Sequence, residues 1–239
     1  MPTGQPLISC LMVTRGALFP TYFAINGFLA QTYSPRELVI VSDTPSTALV
    51  DHLTALADPR IRLVSAEPAS LGRLRNDSVA AAQGAIVAQW DDDDLYGLDR
   101  LAVQYAALEQ SGSAAILLHR WTMWWPGRHR LALSEPRGWE GTILGWKDPL
   151  APYPALSRGE DSAMIAAMIA DGATIGMIDR PDLYCYVVHG GNTFETAHFN
   201  GLFAAASQRF EFAAYDSAMA QRPQFPFADY QAALDSARE

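Results

Sequence analysis

The chain has 239 residues, which is enough for one large domain with a sizeable buried core. Hydrophobic residues make up 49% of the chain and charged residues 18%, as is typical of a globular protein. The formal net charge of -9 argues against binding along a nucleic-acid backbone, which requires a basic face. A nucleotide ligand is still compatible with this charge, because a metal ion can neutralise its phosphates locally.

Two sequence features concern the cellular compartment. We find neither a signal-peptide pattern nor an apolar stretch of about 18 residues, so we expect no transmembrane segment. This predicts a cytoplasmic protein and leaves open peripheral attachment to the inner face of the membrane. Cys10 and Cys185 each lie in an apolar run that resembles a strand, which favours two buried thiols over a disulfide.

Short apolar runs alternate with helical patterns through the first half of the chain. We predict strands at 7–13, 37–41, 61–64, 85–90 and 114–118. We predict helices at 17–31, 47–57, 71–83 and 98–110. Ser46 is the expected N-cap of the second helix, and Gly84 is the expected terminator of the third.

This alternation indicates an α/β fold with a mainly parallel sheet flanked by helices on both faces. In such sheets, ligands bind beyond the carboxyl ends of the strands. Thr14 and Arg15, Asp43, and the acidic run 91–94 each follow a predicted strand directly. We therefore expect these three segments to converge on one crevice.

The second half of the chain is less regular. Residues 119–158 form an aromatic-rich insertion without a clear period. We predict a helix at 162–171, strands at 174–178 and 183–188, and one final helix at 201–219 followed by a tail.

Four consecutive carboxylates, Asp91, Asp92, Asp93 and Asp94, are the strongest chemical signal in the sequence. They repel one another and raise one another's pKa unless a cation is present. Oxygen ligands suit Mg²⁺ or Mn²⁺, so the run predicts a divalent metal as cofactor. The alternative is a solvated acidic turn in which Asp94 or Asp99 caps the following helix.

Seven segments in order across about residues 6–195 carry a family resemblance. They are 7–14, 28–33 with 37–43, Arg75-Asn76, 81–84, 90–96, 159–161 and 189–193. As an ordered set they resemble family 2 glycosyltransferases, which are inverting enzymes with the GT-A fold. The resemblance implies a single domain, 1–239. It would comprise a nucleotide-binding half (1–112), an acceptor-binding and catalytic half (113–195) and a C-terminal helical extension (196–239).

The resemblance also implies a nucleotide-sugar donor, with a UDP-sugar favoured, and a saccharide or glycoconjugate acceptor. Asp43 would accept a hydrogen bond from a uracil-type base, and Thr14 and Arg15 would line the nucleotide pocket. Arg75 would reach the nucleotide or Asp43, although a structural ion pair is an equal alternative. Asp91 and Asp92 would lie near the ribose.

The remaining roles concern the metal, the base and the acceptor. Asp93 would ligate the metal, and His189 would supply a further ligand or contact the pyrophosphate. The glycines after His189 would leave amides free for phosphate. Asp161 would act as the catalytic base and Glu160 would bind the acceptor or orient the loop, unless both merely complement a helix N-terminus. Trp139 is the predicted aromatic contact to the acceptor, although we expect many of the aromatic rings to be core.

Other functions fit less well. A sugar-nucleotide nucleotidyltransferase usually has a longer, Gly-rich basic loop after the first strand than Thr14-Arg15-Gly16 provides. A non-catalytic carbohydrate-binding relative would have lost the base or the acidic run. A dehydrogenase would show a Gly-x-Gly-x-x-Gly pattern, and a zinc enzyme would show ligand spacing. The predicted C-terminal helix is compatible with a homodimer or with docking to a larger biosynthetic assembly.

Overall fold

The computed structural model describes residues 4–236; positions 1–3 and 237–239 of the predicted domain lie outside the described residues. The strands are β1 Ile8–Val13, β2 Arg36–Ser42, β3 Ile61–Ser65, β4 Ile86–Gln89, β5 Leu95–Tyr96, β6 Ala115–Leu118, β7 Thr122–Trp125, β8 Arg130–Leu133, β9 Trp139–Trp146, β10 Ile175–Ile178, β11 Tyr184–Val187 and β12 Gln208–Glu211. The helices are α1 Leu18–Leu29, α2 Thr47–Leu56, α3 Leu71–Ala81, α4 Arg100–Ser111, α5 Glu160–Ala170, α6 Thr196–Ala205, α7 Ala213–Ala220 and α8 Phe227–Ser236.

Within residues 4–236, the larger sheet has seven strands in the order β10-β6-β9-β4-β1-β2-β3. Its strands pair in parallel except β9, which runs antiparallel between β4 and β6. Strands β1, β2 and β4 are almost wholly buried, as expected for parallel strands covered on both faces. The predicted α/β fold with a mainly parallel central sheet is confirmed.

The predicted insertion at 119–158 contains strands β7, β8 and β9, so the expectation of an irregular segment is wrong. β7 and β8 pair as an antiparallel hairpin in a second sheet, ordered β12-β8-β7-β11-β5. Buried aromatic side chains, including Trp124 and Trp125, anchor this sheet. Much of the aromatic content therefore stabilises the fold.

The single C-terminal helix predicted at 201–219 is also wrong. α6 ends at Ala205, and Gln208–Glu211 then forms strand β12, which pairs antiparallel with β8. The predicted tail contains helix α8, whose Phe227 and Tyr230 pack on Trp124. The segment thus belongs to the folded body and covers one side of the second sheet.

Some of the local predictions are confirmed by the structure and one is wrong. Ser46 caps α2 as expected, since its Oγ accepts a hydrogen bond from the Leu49 amide at 3.2 Å. Gly84 does not end α3, because the helix stops at Ala81 and its C-cap, Ala82, is extended. Cys10 and Cys185 are free buried thiols, as predicted. None of the helices in the described part of the chain is both long and apolar enough to cross a membrane.

Candidate active site

The loops that follow β1, β2 and β4 meet at one edge of the larger sheet, as predicted. Gly16 adopts φ +83°, and a Cβ there would lie 2.3 Å from the Thr44 carbonyl oxygen, so only glycine lets the two loops pack this closely. Thr21 donates to Asp92 Oδ2 at 3.4 Å and lies 3.4 Å from the hydroxyl of Thr14. The first and third loops are thus joined through threonine hydroxyls.

Arg15 and Asp43 border this crevice without contacting the acidic run. The Arg15 side chain is exposed, and its carbonyl accepts from the Thr44 hydroxyl at 3.5 Å. Asp43 is half-buried and accepts from the same hydroxyl at 3.1 Å. Their roles in binding a nucleotide stay predictions.

Asp91 is held from several directions. Its carboxylate accepts hydrogen bonds from Arg75 at 2.9 Å and from Gln89 at 3.1 Å, and it lies 3.3 Å from the Tyr184 hydroxyl. Its carbonyl accepts from the Tyr96 hydroxyl at 2.7 Å. These side chains belong to α3, β4, β5 and β11, so elements of both sheets hold Asp91 in place.

Arg75 is buried and forms two ion pairs, with Asp91 at 2.9 Å and with Glu160 at 2.7 Å. The structural ion pair, one of the two alternatives for Arg75, is therefore what the structure contains, and no contact joins it to Asp43. The predicted acceptor contact at Glu160 is corrected for the same reason. Its side chain is 3% exposed and its charge is already engaged.

Asp161 follows directly in the first turn of α5, which begins two residues earlier than predicted. Its Oδ1 accepts from the Ser162 amide at 2.7 Å, and its Oδ2 lies 3.8 Å from the point where a Cβ on Gly141 would be. Asp91 Oδ2 lies 3.6 Å from the same point. Burial raises the pKa of Asp161 above its usual value, against the opposing influence of Arg75.

The remaining members of the acidic run differ sharply in environment. Asp94 is 1% exposed and accepts from the Tyr184 hydroxyl and from the Val187 amide, the latter at 2.8 Å. Burial and repulsion by Asp93 raise the pKa of Asp94 well above its usual value. Because it is buried and bonded to Tyr184 and Val187, Asp94 is an internal structural group that joins the run to β11. Burial and repulsion by Asp93 also raise the pKa of Asp92, to about 7.

Asp93 points to the other side, where its Oδ2 lies 3.0 Å from His189 Nε2 and accepts from Asn192 at 3.4 Å. His189 Nδ1 accepts from the Gly191 amide at 3.2 Å, so in the neutral ring Nε2 carries the proton and donates to Asp93. Asn192 Oδ1 accepts from the amides of His189 and Gly190. The amides of Gly190 and Gly191 are thus engaged within the loop in this structure, and their contact to phosphate stays a prediction.

This geometry tests the predicted metal ligands. Among residues 4–236, no three histidine, cysteine, aspartate or glutamate side chains form a ready-made metal centre. Asp93 fits a hard cation, because it is a carboxylate with 26% exposure that can share the ion with substrate phosphates. His189 fits less well as a ligand, since ligation through Nε2 requires the proton to move to Nδ1 and the Gly191 amide to turn away.

The aromatic prediction for Trp139 is also corrected. Its ring is 3% exposed, stacks on Trp121 at a centroid distance of 4.3 Å and is covered by the Arg137 guanidinium at 3.8 Å. A sugar face cannot reach it in this arrangement. Residues that sequence reasoning missed are Gln89 and Tyr184, because each lies inside an apolar run that carries no chemical pattern of its own.

Comparison with known proteins bears on this site. A relative from Escherichia coli K12, a putative colanic acid biosynthesis glycosyl transferase named WcaA, is 36% identical over 117 residues, covering 48% of this chain and 42% of the relative. A second from Escherichia coli is named UDP-Glc:alpha-D-GlcNAc-diphosphoundecaprenol beta-1,3-glucosyltransferase WfgD. It is 28% identical and covers 43% of this chain and 41% of its own length. The chain thus spans less than half the length of these curated relatives.

A solved structure of S. aureus TarS, residues 1–349 in complex with UDP-GlcNAc, is similar in fold. The TM-score is 0.67 at 16% identity, covering 90% of this chain and 71% of that one. The family model described as "Glycosyl transferase family 2" matches residues 13–151, more than half of the chain. That span contains the loops after β1, β2 and β4 and the whole acidic run. The chain therefore belongs to glycosyl transferase family 2.

Proposed function

We propose that this protein transfers a sugar from a UDP-sugar to a hydroxyl of a saccharide or glycoconjugate acceptor. One observation carries the proposal: Asp91 and Asp161 approach a common point beside Gly141, at 3.6 and 3.8 Å. An acidic run after a parallel strand thus faces a separate carboxylate that carries a raised pKa. This combination suits a reaction that needs both a held donor diphosphate and a base.

The reaction we propose is a single displacement with inversion. The acceptor hydroxyl oxygen bonds to the anomeric carbon as the bond from that carbon to the diphosphate oxygen breaks. Asp161 takes the hydroxyl proton, and UDP leaves with the bonding electron pair. A base is more effective when its pKa lies nearer the working pH, so the burial of Asp161 favours this role.

A divalent metal, Mn²⁺ or Mg²⁺, is the cofactor we propose. When bound, it would supply charge stabilisation to the departing diphosphate. Asp93 would hold it from the protein side, and the phosphate oxygens would complete the ligand set. His189 would act by orienting Asp93 through the 3.0 Å contact between its Nε2 and the Asp93 carboxylate.

The uridine part of the donor is supported by relatives rather than by a contact in this chain. The name of WfgD specifies UDP-Glc, and TarS has been solved with UDP-GlcNAc. A thermal-shift screen of UDP, GDP, CDP and dTDP, with and without Mn²⁺, tests the proposal. We expect UDP with Mn²⁺ to raise the unfolding temperature, because a ligand that binds only the folded state stabilises it. Absence of a shift with all four nucleotides would contradict it.

The names of WcaA and WfgD also support an acceptor from bacterial polysaccharide or glycoconjugate synthesis. The products distinguish the alternatives. A glycosyltransferase releases UDP from a UDP-sugar, a nucleotidyltransferase releases pyrophosphate when given UTP and a sugar phosphate, and a carbohydrate-binding relative releases neither. We expect UDP alone.

A further inference from the structure

Gly141 lies at an irregularity in β9 that side-chain hydrogen bonds hold in place. The pairing of β9 with β6 shifts register between Ile116 and Leu118. Thr142 fixes the shifted segment, because its hydroxyl accepts from the Leu118 amide at 2.8 Å and donates to the Trp139 carbonyl at 2.6 Å. Bulges of this kind re-aim a strand next to active sites. Here the bulge turns Gly141 toward the end of β4.

Three polar side chains surround the position that a Cβ on Gly141 would occupy. Gln89 Nε2 lies 3.4 Å from that point, Asp91 Oδ2 3.6 Å and Asp161 Oδ2 3.8 Å. These are ordinary contact distances, so a methyl group would fit without displacing a neighbour. The backbone does not demand glycine either, since Gly141 is absent from the positive-φ residues. The missing side chain instead leaves a small recess with polar walls.

The walls of this recess offer hydrogen-bond acceptors. Gln89 is 2% exposed, has its Nε2 beside the recess and donates its amide hydrogens to Asp91. Asp161 Oδ1 takes the Ser162 amide, which leaves Oδ2 toward the recess. Asp91 Oδ2 already accepts from Gln89, so the acceptor that a ligand in the recess would meet is Asp161 Oδ2. A hydroxyl is the smallest sugar group that can donate a hydrogen bond to it.

We propose that the recess at Gly141 is a subsite for one substrate hydroxyl, and that the absence of a side chain at position 141 makes room for it. The proposal rests on the proposed function and deepens it. Because Asp161 Oδ2 faces the recess, the hydroxyl is the one that attacks the donor sugar, and a water molecule takes its place when no acceptor is present. A donor-sugar hydroxyl shares the same chemistry, and the experiment separates the two sources.

The test compares wild type with Gly141→Ala, using Gly201→Ala as the matched control. A Cβ on Gly201, in α6, would meet nothing within 4 Å. Thermal unfolding is measured first. We expect Gly141→Ala to unfold at or above the wild-type temperature, because alanine in a compatible backbone lowers the entropy of the unfolded chain. A loss of function in a protein of unchanged stability then reflects the filled recess.

Two functional readouts follow, with UDP, UDP-glucose and UDP-GlcNAc as the probes. Calorimetry gives the dissociation constants, and a coupled assay follows the slow release of UDP as water hydrolyses each UDP-sugar. In Gly141→Ala we expect all three affinities to stay within about twofold while UDP release falls roughly tenfold or more, since the methyl displaces the attacking water. Gly201→Ala should match wild type in both.

Each remaining outcome decides something different. Weaker binding of the UDP-sugars with unchanged UDP binding would assign the recess to a hydroxyl of the donor sugar. Wild-type binding and wild-type UDP release in Gly141→Ala would overturn the subsite. A wild-type protein that binds neither UDP nor a UDP-sugar would overturn the proposed function itself, which is a separate result.

Discussion

The two sides of the acidic run are built in different ways. On the base side, buried Arg75 ties Asp91 to Glu160, and Glu160 leads directly into Asp161. On the opposite side, Asp93 is 26% exposed and contacts a glycine-containing loop through His189 and Asn192. We propose that folding alone assembles the side that carries Asp161, whereas ligands complete the Asp93 side. Four predictions test this division.

The largest expected effect is on turnover in Asp161→Asn. Removing a positioned base slows a reaction by roughly 10²- to 10⁴-fold, and the amide preserves the size of the side chain. We expect UDP release from the UDP-sugar to fall by this factor while the dissociation constant for UDP changes little. Steady-state kinetics and calorimetry on the same preparation measure both. Turnover within about tenfold of wild type would remove Asp161 from the base role.

The second prediction concerns the ion pairs. Arg75→Met leaves Glu160 and Asp91 without their buried countercharge, which lowers the free energy of unfolding by about 3–5 kcal/mol. Chemical denaturation measures this loss. The matched control is Arg73→Ala on the same helix, whose side chain is 67% exposed and pairs with Asp77. That surface pair contributes at most about 1 kcal/mol. Equal losses in the two variants would show that the base side is not preassembled.

The third prediction concerns the exposed side. In Asp93→Ala we expect metal-dependent affinity for UDP to fall by roughly 10- to 100-fold, with a smaller loss in His189→Ala, because His189 acts by orienting Asp93. Neither change should alter the unfolding temperature of the unliganded protein by much, since both side chains lie at the surface of the site. Calorimetry with and without Mn²⁺ measures the effect. Equally strong binding without metal in wild type would count against this site.

The smallest expected effect is the dependence of turnover on pH. The base must be ionised, and burial raises the pKa of Asp161, so kcat/KM should rise with pH through that raised pKa and then level off. Each unit of pH below the pKa lowers the rate by at most about tenfold. Asp92→Asn is the control, because burial and repulsion by Asp93 raise the pKa of Asp92 to about 7. A rising limb that disappears in Asp92→Asn would assign the titration to Asp92.

The parallel half of the fold follows from the sequence because its strands are buried on both faces. β1 and β2 therefore appear as continuous apolar runs, and the predicted and observed elements agree within about two residues. The second sheet gives no such signal. β12 has the sequence Gln-Arg-Phe-Glu and is largely exposed, so its identity as a strand depends on pairing with β8. Tertiary pairing of this kind leaves no local pattern.

The candidate site, like the fold, was only partly predictable from the sequence. The acidic run could be located because four carboxylates after a predicted strand stand out chemically, whereas Asp161 was located through the resemblance of segment 159–161 to the family. The environments that separate them could not be read from the sequence. Asp94 is internal because Tyr184 and Val187 reach it from β11, about ninety positions along the chain. Glu160 and Asp161 are adjacent, yet only the position of Arg75 decides that one is an ion-pair partner and the other faces the recess.

The most direct test of the account measures the binding of UDP to three proteins, wild type, Asp161→Asn and Asp93→Ala, by calorimetry with and without Mn²⁺. The account predicts that Asp161→Asn keeps the metal-dependent affinity of wild type and that Asp93→Ala loses it. Equal loss in both variants, or full retention in both, would contradict the central claim that the two sides of the acidic run do separate work.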